Sequence, residues 1–218
     1  MTYAVKEIFY TLQGEGAHAG TAAVFVRFAG CNLWSGREED RARDAAKGGC
    51  ARWCDTDFRG TGGALGGRYD AEGLASVVER LWPKSIGRCV VLTGGEPALQ
   101  VDRALIDALH ARGYGVHMET NGTVPIAAGI DWVTVSPKPP SVPLPQRYDE
   151  VKVVSDGTGD VPREYFIASR RFIQPRWVPD PAECLRIEAR CVEWVKAHPT
   201  WRLSVQLHKH LPIDPVAT

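Results

Sequence analysis

Apolar residues along the chain fall into short runs separated by helical spacings. Ala23, Val24, Phe25, Val26 and Phe28 form a strand-length run broken only by Arg27, the pattern of a buried strand. A polar, glycine-rich and charged stretch follows from Asn32 to Arg68. Leu74, Val77, Val78, Leu81 and Trp82 then recur at spacings of three and four, which puts them on one face of a helix. Cys89, Val90, Val91 and Leu92 predict a second buried strand, ending in Thr93-Gly94-Gly95-Glu96-Pro97. Leu105, Ile106 and Leu109 mark a second helix, and Gly113 is placed to end it. Short strands are predicted over residues 116–119, 132–135, 151–154 and 172–173, and a last one over 203–207. Between these, residues 179–198 give a helix with Cys184, Ile187, Cys191 and Trp194 on one stripe. Strands separated by helices or long connections imply an α/β fold, a mostly parallel sheet with helices on its outer face. Such sheets gather ligands at the C-terminal ends of their strands. The chain length of 218 residues suits one domain carrying an insertion. The glycine cluster at 60–67 lacks phosphate-loop spacing and reads as a flexible loop. The charge run at 37–43 reads as a solvated insertion.

Charge changes the picture by exclusion. Lys plus Arg number 26 and Asp plus Glu number 26, so the net charge makes no case for nucleic acid or an anionic membrane as the main partner. The longest purely apolar stretch covers only residues 22–26, whereas a membrane-spanning helix needs about 20 apolar residues. The first residues also lack the apolar core of a signal peptide. A soluble, cytoplasmic protein is expected, and its six cysteines should stay reduced there. Cys89, Cys184 and Cys191 fall on predicted core positions. Cys31, Cys50 and Cys54 instead share one loop-like region. Three thiolates can hold three irons of a 4Fe–4S cluster and leave the fourth open to a ligand. A structural zinc site would want a fourth ligand, from His18 or a distant His. Polar groups follow three strands, in Thr93-Gly94-Gly95-Glu96-Pro97, Glu119-Thr120-Asn121-Gly122 and Ser136-Pro137-Lys138. Paired glycines there let backbone approach a ligand closely. His208 and His210 alternate on one face of the last predicted strand, an arrangement that also suits zinc. His18, His110, His117 and His198 have no companions and are expected at the surface.

The cysteine triad, the Gly-Gly-Glu-Pro turn and Glu-Thr-Asn-Gly together resemble the radical S-adenosylmethionine superfamily. More specific motifs resemble the 7-carboxy-7-deazaguanine synthase family. They are Phe9-Tyr10-Thr11-Leu12-Gln13-Gly14-Glu15-Gly16, Arg27-Phe28-Ala29-Gly30-Cys31-Asn32-Leu33-Trp34 and Cys54-Asp55-Thr56-Asp57-Phe58. Ser136-Pro137-Lys138, Gln174-Pro175 and Gln206-Leu207-His208-Lys209 extend the likeness over nearly the whole chain.

The resemblance implies a partial, distorted (β/α) barrel of the radical SAM type, one domain over residues 1–218 with a cluster-binding loop and insertion at about 31–68. It implies a lyase that turns 6-carboxy-5,6,7,8-tetrahydropterin into 7-carboxy-7-deazaguanine with loss of ammonia, on the route to queuosine and other deazapurines. Cys31, Cys50 and Cys54 would hold a 4Fe–4S cluster and Thr56 a magnesium ion. S-adenosylmethionine would lie against Trp53, Cys54, Asp55, Gly95, Ser136, Pro137, Lys138, Gln174, Pro175, Arg176 and Trp177. The pterin would meet Leu12, Gln13, Gly14, Glu15, Arg27, Thr93 and His208, with the Arg27 fork matched to its carboxylate. An electron donor such as flavodoxin and a homodimer are also implied, with no nucleic acid or membrane partner. The chain departs from the superfamily's common C-x3-C-x2-C pattern. Eighteen residues separate Cys31 from Cys50, three separate Cys50 from Cys54, and Arg176-Trp177 follow Gln174-Pro175. The chain also runs on past Ile213 to Thr218. Two alternatives stand beside this reading: a radical SAM activase acting on a protein partner, and a zinc-stabilised binding module.

Overall fold

The computed structural model describes residues 1–84 and 86–213. The continuation past Ile213 noted above lies outside the described residues. Strands β1 (Tyr3–Leu12), β2 (Ala22–Phe28), β3 (Gly67–Tyr69), β4 (Cys89–Gly94), β5 (Gly115–Thr120), β6 (Trp132–Val135), β7 (Glu150–Ser155), β8 (Arg170–Pro175) and β9 (Arg202–Leu203) build one sheet. Their order is β3-β1-β2-β4-β5-β6-β7-β8-β9. β1 runs antiparallel to both β2 and β3, and every pairing from β2 to β9 is parallel. The helices are α1 (Arg41–Asp44), α2 (Ala71–Leu81), α3 (Arg103–His110), α4 (Pro181–Ala197) and α5 (Leu207–His210). Each long helix starts on an aspartate that accepts a backbone N–H of the first turn: Asp70 from Gly73, Asp102 from Leu105 and Asp180 from Ala182.

The two faces of the sheet divide the sequence by its period of two. Val24, Val26, Val90, Leu92, Val116, Met118, Val133, Val135, Val151, Val153 and Ile173 join Leu74, Val78, Leu105, Leu109 and Ile187 of the helices in one buried core. The intervening positions, among them Arg27, Thr93, Glu119, Lys152 and Gln174, point the other way and line a cavity. Burying a sheet face against helices is the main stabilising step, at roughly 25 cal/mol per Å² of apolar surface removed from water.

The structure corrects several expectations. Residues 3–12, not assigned to an element from their pattern, form the longest strand. Register shifts between Val5 and Glu7, so Tyr3 and Val5 face the core on odd positions and Ile8 on an even one. That bulge breaks the alternation a strand normally shows. The glycine cluster is not a free loop: Gly63 N–H donates to Lys6 O (3.0 Å) and Ile8 N–H to Ala64 O (2.9 Å), which seats it on the outer edge of β1. The last strand stops at Leu203, and Leu207–His210 is a helical turn. His208 and His210 therefore do not alternate on a strand face. His208 reaches the cavity, whereas His210 pairs with Glu188 of α4 at 3.2 Å. The other histidines have companions after all. His18 packs on His117 and Trp132, with ring centroids 4.6 and 4.5 Å away. His110 meets Asp131 at 2.9 Å, and His198 stacks on Trp194. Among the described residues no helix is long and apolar enough to cross a membrane.

Candidate active site

A cavity of about 420 Å³ opens at the C-terminal ends of the parallel strands, on the face away from the helices. One end is walled by thiols. Cys31 follows β2, and its Sγ accepts the Leu33 N–H at 3.5 Å. Cys50 and Cys54 flank a short turn closed by Trp53 N–H and Cys54 N–H on the Cys50 carbonyl, at 3.0 and 2.7 Å. All three cysteines border the cavity. Burial pushes the Cys31 thiol up and the Cys50 thiol to about 11, with the Lys138 ammonium working against the latter. Among the described residues no group of three His, Cys, Asp or Glu gathers tightly enough to hold a single metal ion. Cys31, Cys50 and Cys54 around one open space would suit a 4Fe–4S cluster, which can be held by three thiolates and would leave an iron free to bind a ligand. The same fact bears on magnesium: Thr56 borders the cavity without a carboxylate cage, so such an ion would take its other oxygens from substrate and water.

The Gly-Gly turn has a second cause beside the ligand approach its sequence suggests. A Cβ on Gly95 would stand 2.0 Å from the Gly30 carbonyl oxygen and 2.9 Å from Cys31 Cβ. The glycine lets the end of β4 pass against the backbone that carries Cys31, and it also borders the cavity. Glu96, fully buried, accepts from Ala98 N–H (3.0 Å), Thr120 Oγ1–H (2.7 Å) and Asn121 N–H (2.7 Å). Asn121 Nδ2 then donates to Asn32 Oδ1 at 3.0 Å. This chain of bonds locks the ends of β4 and β5 to the residue next to Cys31.

The other end of the cavity is charged. Lys152 donates to Glu15 and, at 3.1 Å, to Glu119 Oε2. Gln13 Nε2 donates to Glu119 Oε1 (2.9 Å) and Gln206 Nε2 to Glu15 Oε1 (3.0 Å). Burial alone would raise the Glu15 carboxyl, but the Lys152 charge and the hydrogen bonds from Lys152 and Gln206 together outweigh it and hold Glu15 ionised well below the usual range. Burial would likewise strip Lys152 of its proton, and Glu119 and Glu15 together keep it charged. Beside them, burial lowers the His208 imidazole, which favours its neutral form. Arg27 is fixed at Nε by Glu7 Oε1 at 2.7 Å.

The cavity thus gathers Leu12, Gln13, Gly14, Glu15, Arg27, Thr93 and His208 with Cys31, Cys50, Trp53, Cys54, Asp55, Thr56, Gly95, Ser136, Lys138 and Gln174. It does not gather Pro137, Pro175, Arg176 or Trp177. The last three line a neighbouring groove against α4, where Trp177 carries the Lys209 ammonium 4.2 Å from its ring centroid. Gln13 offers less than expected, because its N–H and carbonyl are taken by Thr21 O (2.7 Å) and Gly20 N–H (2.8 Å). Lys152 and Glu7 are site residues that the sequence motifs do not single out, whereas Glu119 and Gln206 lie in motifs noted above without a role of their own. The signal for Lys152 is present: a parallel strand buried on both faces should be continuously apolar, and Glu150 and Lys152 interrupt one.

No family model matches the chain. A 7-carboxy-7-deazaguanine synthase of Bradyrhizobium diazoefficiens is 54% identical over 217 residues, 98% of this chain and 100% of that protein. The enzyme of the same name from Burkholderia multivorans is 49% identical over 215 residues, again 98% of this chain and 100% of the relative. Among solved structures, QueE from Escherichia coli superposes with a TM-score of 0.65 at 27% identity, covering 94% of each chain. The sheet is therefore the partial barrel of radical SAM type, and neither a zinc module nor a protein activase is favoured by these relatives. Near-complete coverage at such identity, on a cavity with three thiols at one end and a buried charge cluster at the other, decides the family: the chain belongs to the 7-carboxy-7-deazaguanine synthases.

Proposed function

We propose that this chain is a radical SAM lyase converting 6-carboxy-5,6,7,8-tetrahydropterin to 7-carboxy-7-deazaguanine with release of ammonia, a ring contraction in queuosine and deazapurine biosynthesis. The observation that carries the reading is one cavity joining the three-thiol wall to the Glu15–Lys152–Glu119 cluster. Cys31, Cys50 and Cys54 would hold a 4Fe–4S cluster, and Thr56 would contribute to a magnesium site. When bound, the cluster and S-adenosylmethionine supply a 5′-deoxyadenosyl radical.

The chain's own residues do the rest. Each oxygen of Glu15 and Glu119 accepts one bond from the protein, which leaves a lone pair for an N–H of a pterin edge. With Glu7 on its Nε, Arg27 keeps its two terminal nitrogens for a carboxylate. Thr93 and neutral His208 add hydrogen bonds. Lys138, held by Ser136 Oγ at 2.7 Å and lying 5.6 Å from the Trp53 ring centroid, borders the cofactor end. The buried charges suit a small polar heterocycle, since any N–H or carboxylate left unmatched there costs about 1–3 kcal/mol.

Family membership supports a homodimer. A concentration-independent monomer in sedimentation would refute that part. An electron donor such as flavodoxin, a cytoplasmic location and a single domain over residues 1–218 belong to the same reading. The decisive experiment is anaerobic reconstitution with iron and sulfide, reduction, and addition of S-adenosylmethionine with and without the pterin and magnesium. Deazaguanine product appearing only with the pterin is expected. 5′-Deoxyadenosine without product would move the substrate elsewhere, and no cleavage by a cluster-loaded protein would overturn the reading.

A further inference from the structure

The charge run at 37–43 is mostly exposed, as its sequence predicts, but the inserted loop that carries it folds back under the thiols through its flanking residues. Trp34, only 5% exposed, packs with Ala45, Ala51 and Phe58, and Cys31 and Cys54 lie against that small core. Asp44, also buried, accepts from Ser35 N–H at 2.9 Å and is paired with Arg43. Arg41 spans this loop and the cysteine turn. Its guanidinium lies 4.4 Å from the Trp34 ring centroid, and its Nε is held by Glu38 Oε2 at 2.6 Å. Its Nη1 donates to Ala51 O at 2.7 Å and to Cys54 O at 3.3 Å.

Those two carbonyls sit where this chain departs from the superfamily pattern. Three residues rather than two separate Cys50 from Cys54, and a longer turn has more backbone freedom to lose on wrapping a cluster. The Cys50 carbonyl is already taken by Trp53 and Cys54 N–H. Arg41 takes the carbonyls of Ala51 and Cys54, and so fixes the turn from the inserted loop.

We propose that Arg41 is the positioning residue of the cluster-binding turn: it pins the widened Cys50–Cys54 segment through the Ala51 and Cys54 carbonyls and brings a positive charge beside the bound cluster. This rests on the reading that Cys31, Cys50 and Cys54 hold a 4Fe–4S cluster. Both carbonyl bonds leave from Nη1 while Nε holds Glu38 and the guanidinium lies over Trp34, a combination that a lysine ammonium cannot reproduce. The charge acts separately, because cluster potentials respond to nearby net charge, and the paired Glu38 is 79% exposed and screened by water.

The test uses the reconstituted full-length chain with Arg41→Met and Arg41→Lys. Iron release to a strong chelator, the cluster midpoint potential, and thermal unfolding of the iron-free protein are measured together. Arg41→Met is expected to release iron about tenfold faster, the factor that two lost carbonyl bonds imply, and to shift the potential negative. Arg41→Lys is expected to release iron as fast as Arg41→Met while keeping the wild-type potential, a split that a general loss of packing would not give. Iron release at the wild-type rate in Arg41→Met would overturn the proposal while leaving the cluster reading intact. Wild-type protein that takes up no iron would overturn the cluster reading itself. Should iron-free Arg41→Met fail to fold, the release rate of Arg41→Lys, which keeps the positive charge, decides alone.

Discussion

Lys152 is the residue on which the substrate end of the cavity turns. Its side chain is 4% exposed and bonds two carboxylates, one of them 14% and the other 22% exposed. Replacing one partner of such a buried set leaves uncompensated charge and costs about 3–5 kcal/mol. Lys152→Met is therefore expected to lower unfolding stability by that amount. Turnover of the pterin should fall about a hundredfold, the factor that roughly 3 kcal/mol of lost charged interaction implies. The double variant Lys152→Met with Glu119→Gln removes one negative charge and should recover much of the denaturant midpoint without recovering turnover. The pH dependence has a definite sign. Lys152 depresses the Glu15 carboxyl, so activity needing that carboxylate is lost only as pH falls through the depressed value. Without Lys152 the acid limb moves to higher pH. Unchanged acid limbs in the two proteins would show that the carboxylate charge does not matter to the reaction. Much of this end was legible from the residues: Gln13, Glu15, Arg27 and His208 all reach the cavity. Lys152 was not assigned, because a lysine in a strand is normally read as solvent-facing.

At the scale of elements, the turn that presents Glu15 rests on the sheet through His18. This short helical turn, Gly16–His18, sets its imidazole on His117 of β5 and Trp132 of β6, and Ala17 N–H donates to Glu150 of β7 at 2.9 Å. Burial, then the neighbouring His18, lowers His117 from 6.5 to about 4. A histidine with a depressed folded pKa must stay neutral to remain packed, so the unfolded chain binds the proton more readily between those two values. Stability is fully present above about pH 6.5 and is lost as pH falls towards 4. The imidazole is partly exposed, which reduces the contribution to about 1–2 kcal/mol. Urea unfolding of wild type and His117→Phe at several pH values should show that difference developing only below about pH 6.5, and parallel curves would refute it. Pairing of this kind was invisible in sequence, where His18 and His117 lie on separate elements. Short apolar runs predict the inner strands closely, Trp132–Val135 to the residue and the others within one or two residues of their ends. β1, which changes phase at its bulge, is not predicted. Residues 207–210 were read one element too far into the sheet, because no local pattern shows that Gly14 O draws Leu207 N–H to 3.0 Å.

Over the whole molecule, the first hairpin and α5 meet at the cavity and build one of its walls. Leu207 binds Gly14, Gln206 binds Glu15, and Lys209 Nζ reaches Asp55 Oδ2 at 3.2 Å. Segments almost the full chain apart thus share one wall with the cysteine loop, an arrangement that period and spacing cannot reveal. The family motifs at Gln13-Gly14-Glu15 and Gln206-Leu207-His208-Lys209 pointed to it only by resemblance. The contact is tight. A Cβ on Gly14 would stand 3.1 Å from His208 Nδ1 and in ordinary contact with Leu207 N at 3.5 Å, so the His208 ring must give by a few tenths of an ångström. α5 buries no residue, and such a shift should leave global stability within about 0.5 kcal/mol. Small displacements of positioned groups are costly in rate, so Gly14→Ala is expected to lose about tenfold in kcat/KM while its thermal midpoint stays near wild type. His208→Ala measured beside it sets the scale for losing the imidazole altogether. A Gly14→Ala protein with wild-type kcat/KM would mean that the α5 wall tolerates movement and that His208 does not need its observed position. A fall in both stability and rate would instead make the Gly14–Leu207 junction part of what holds the two ends of the sheet together.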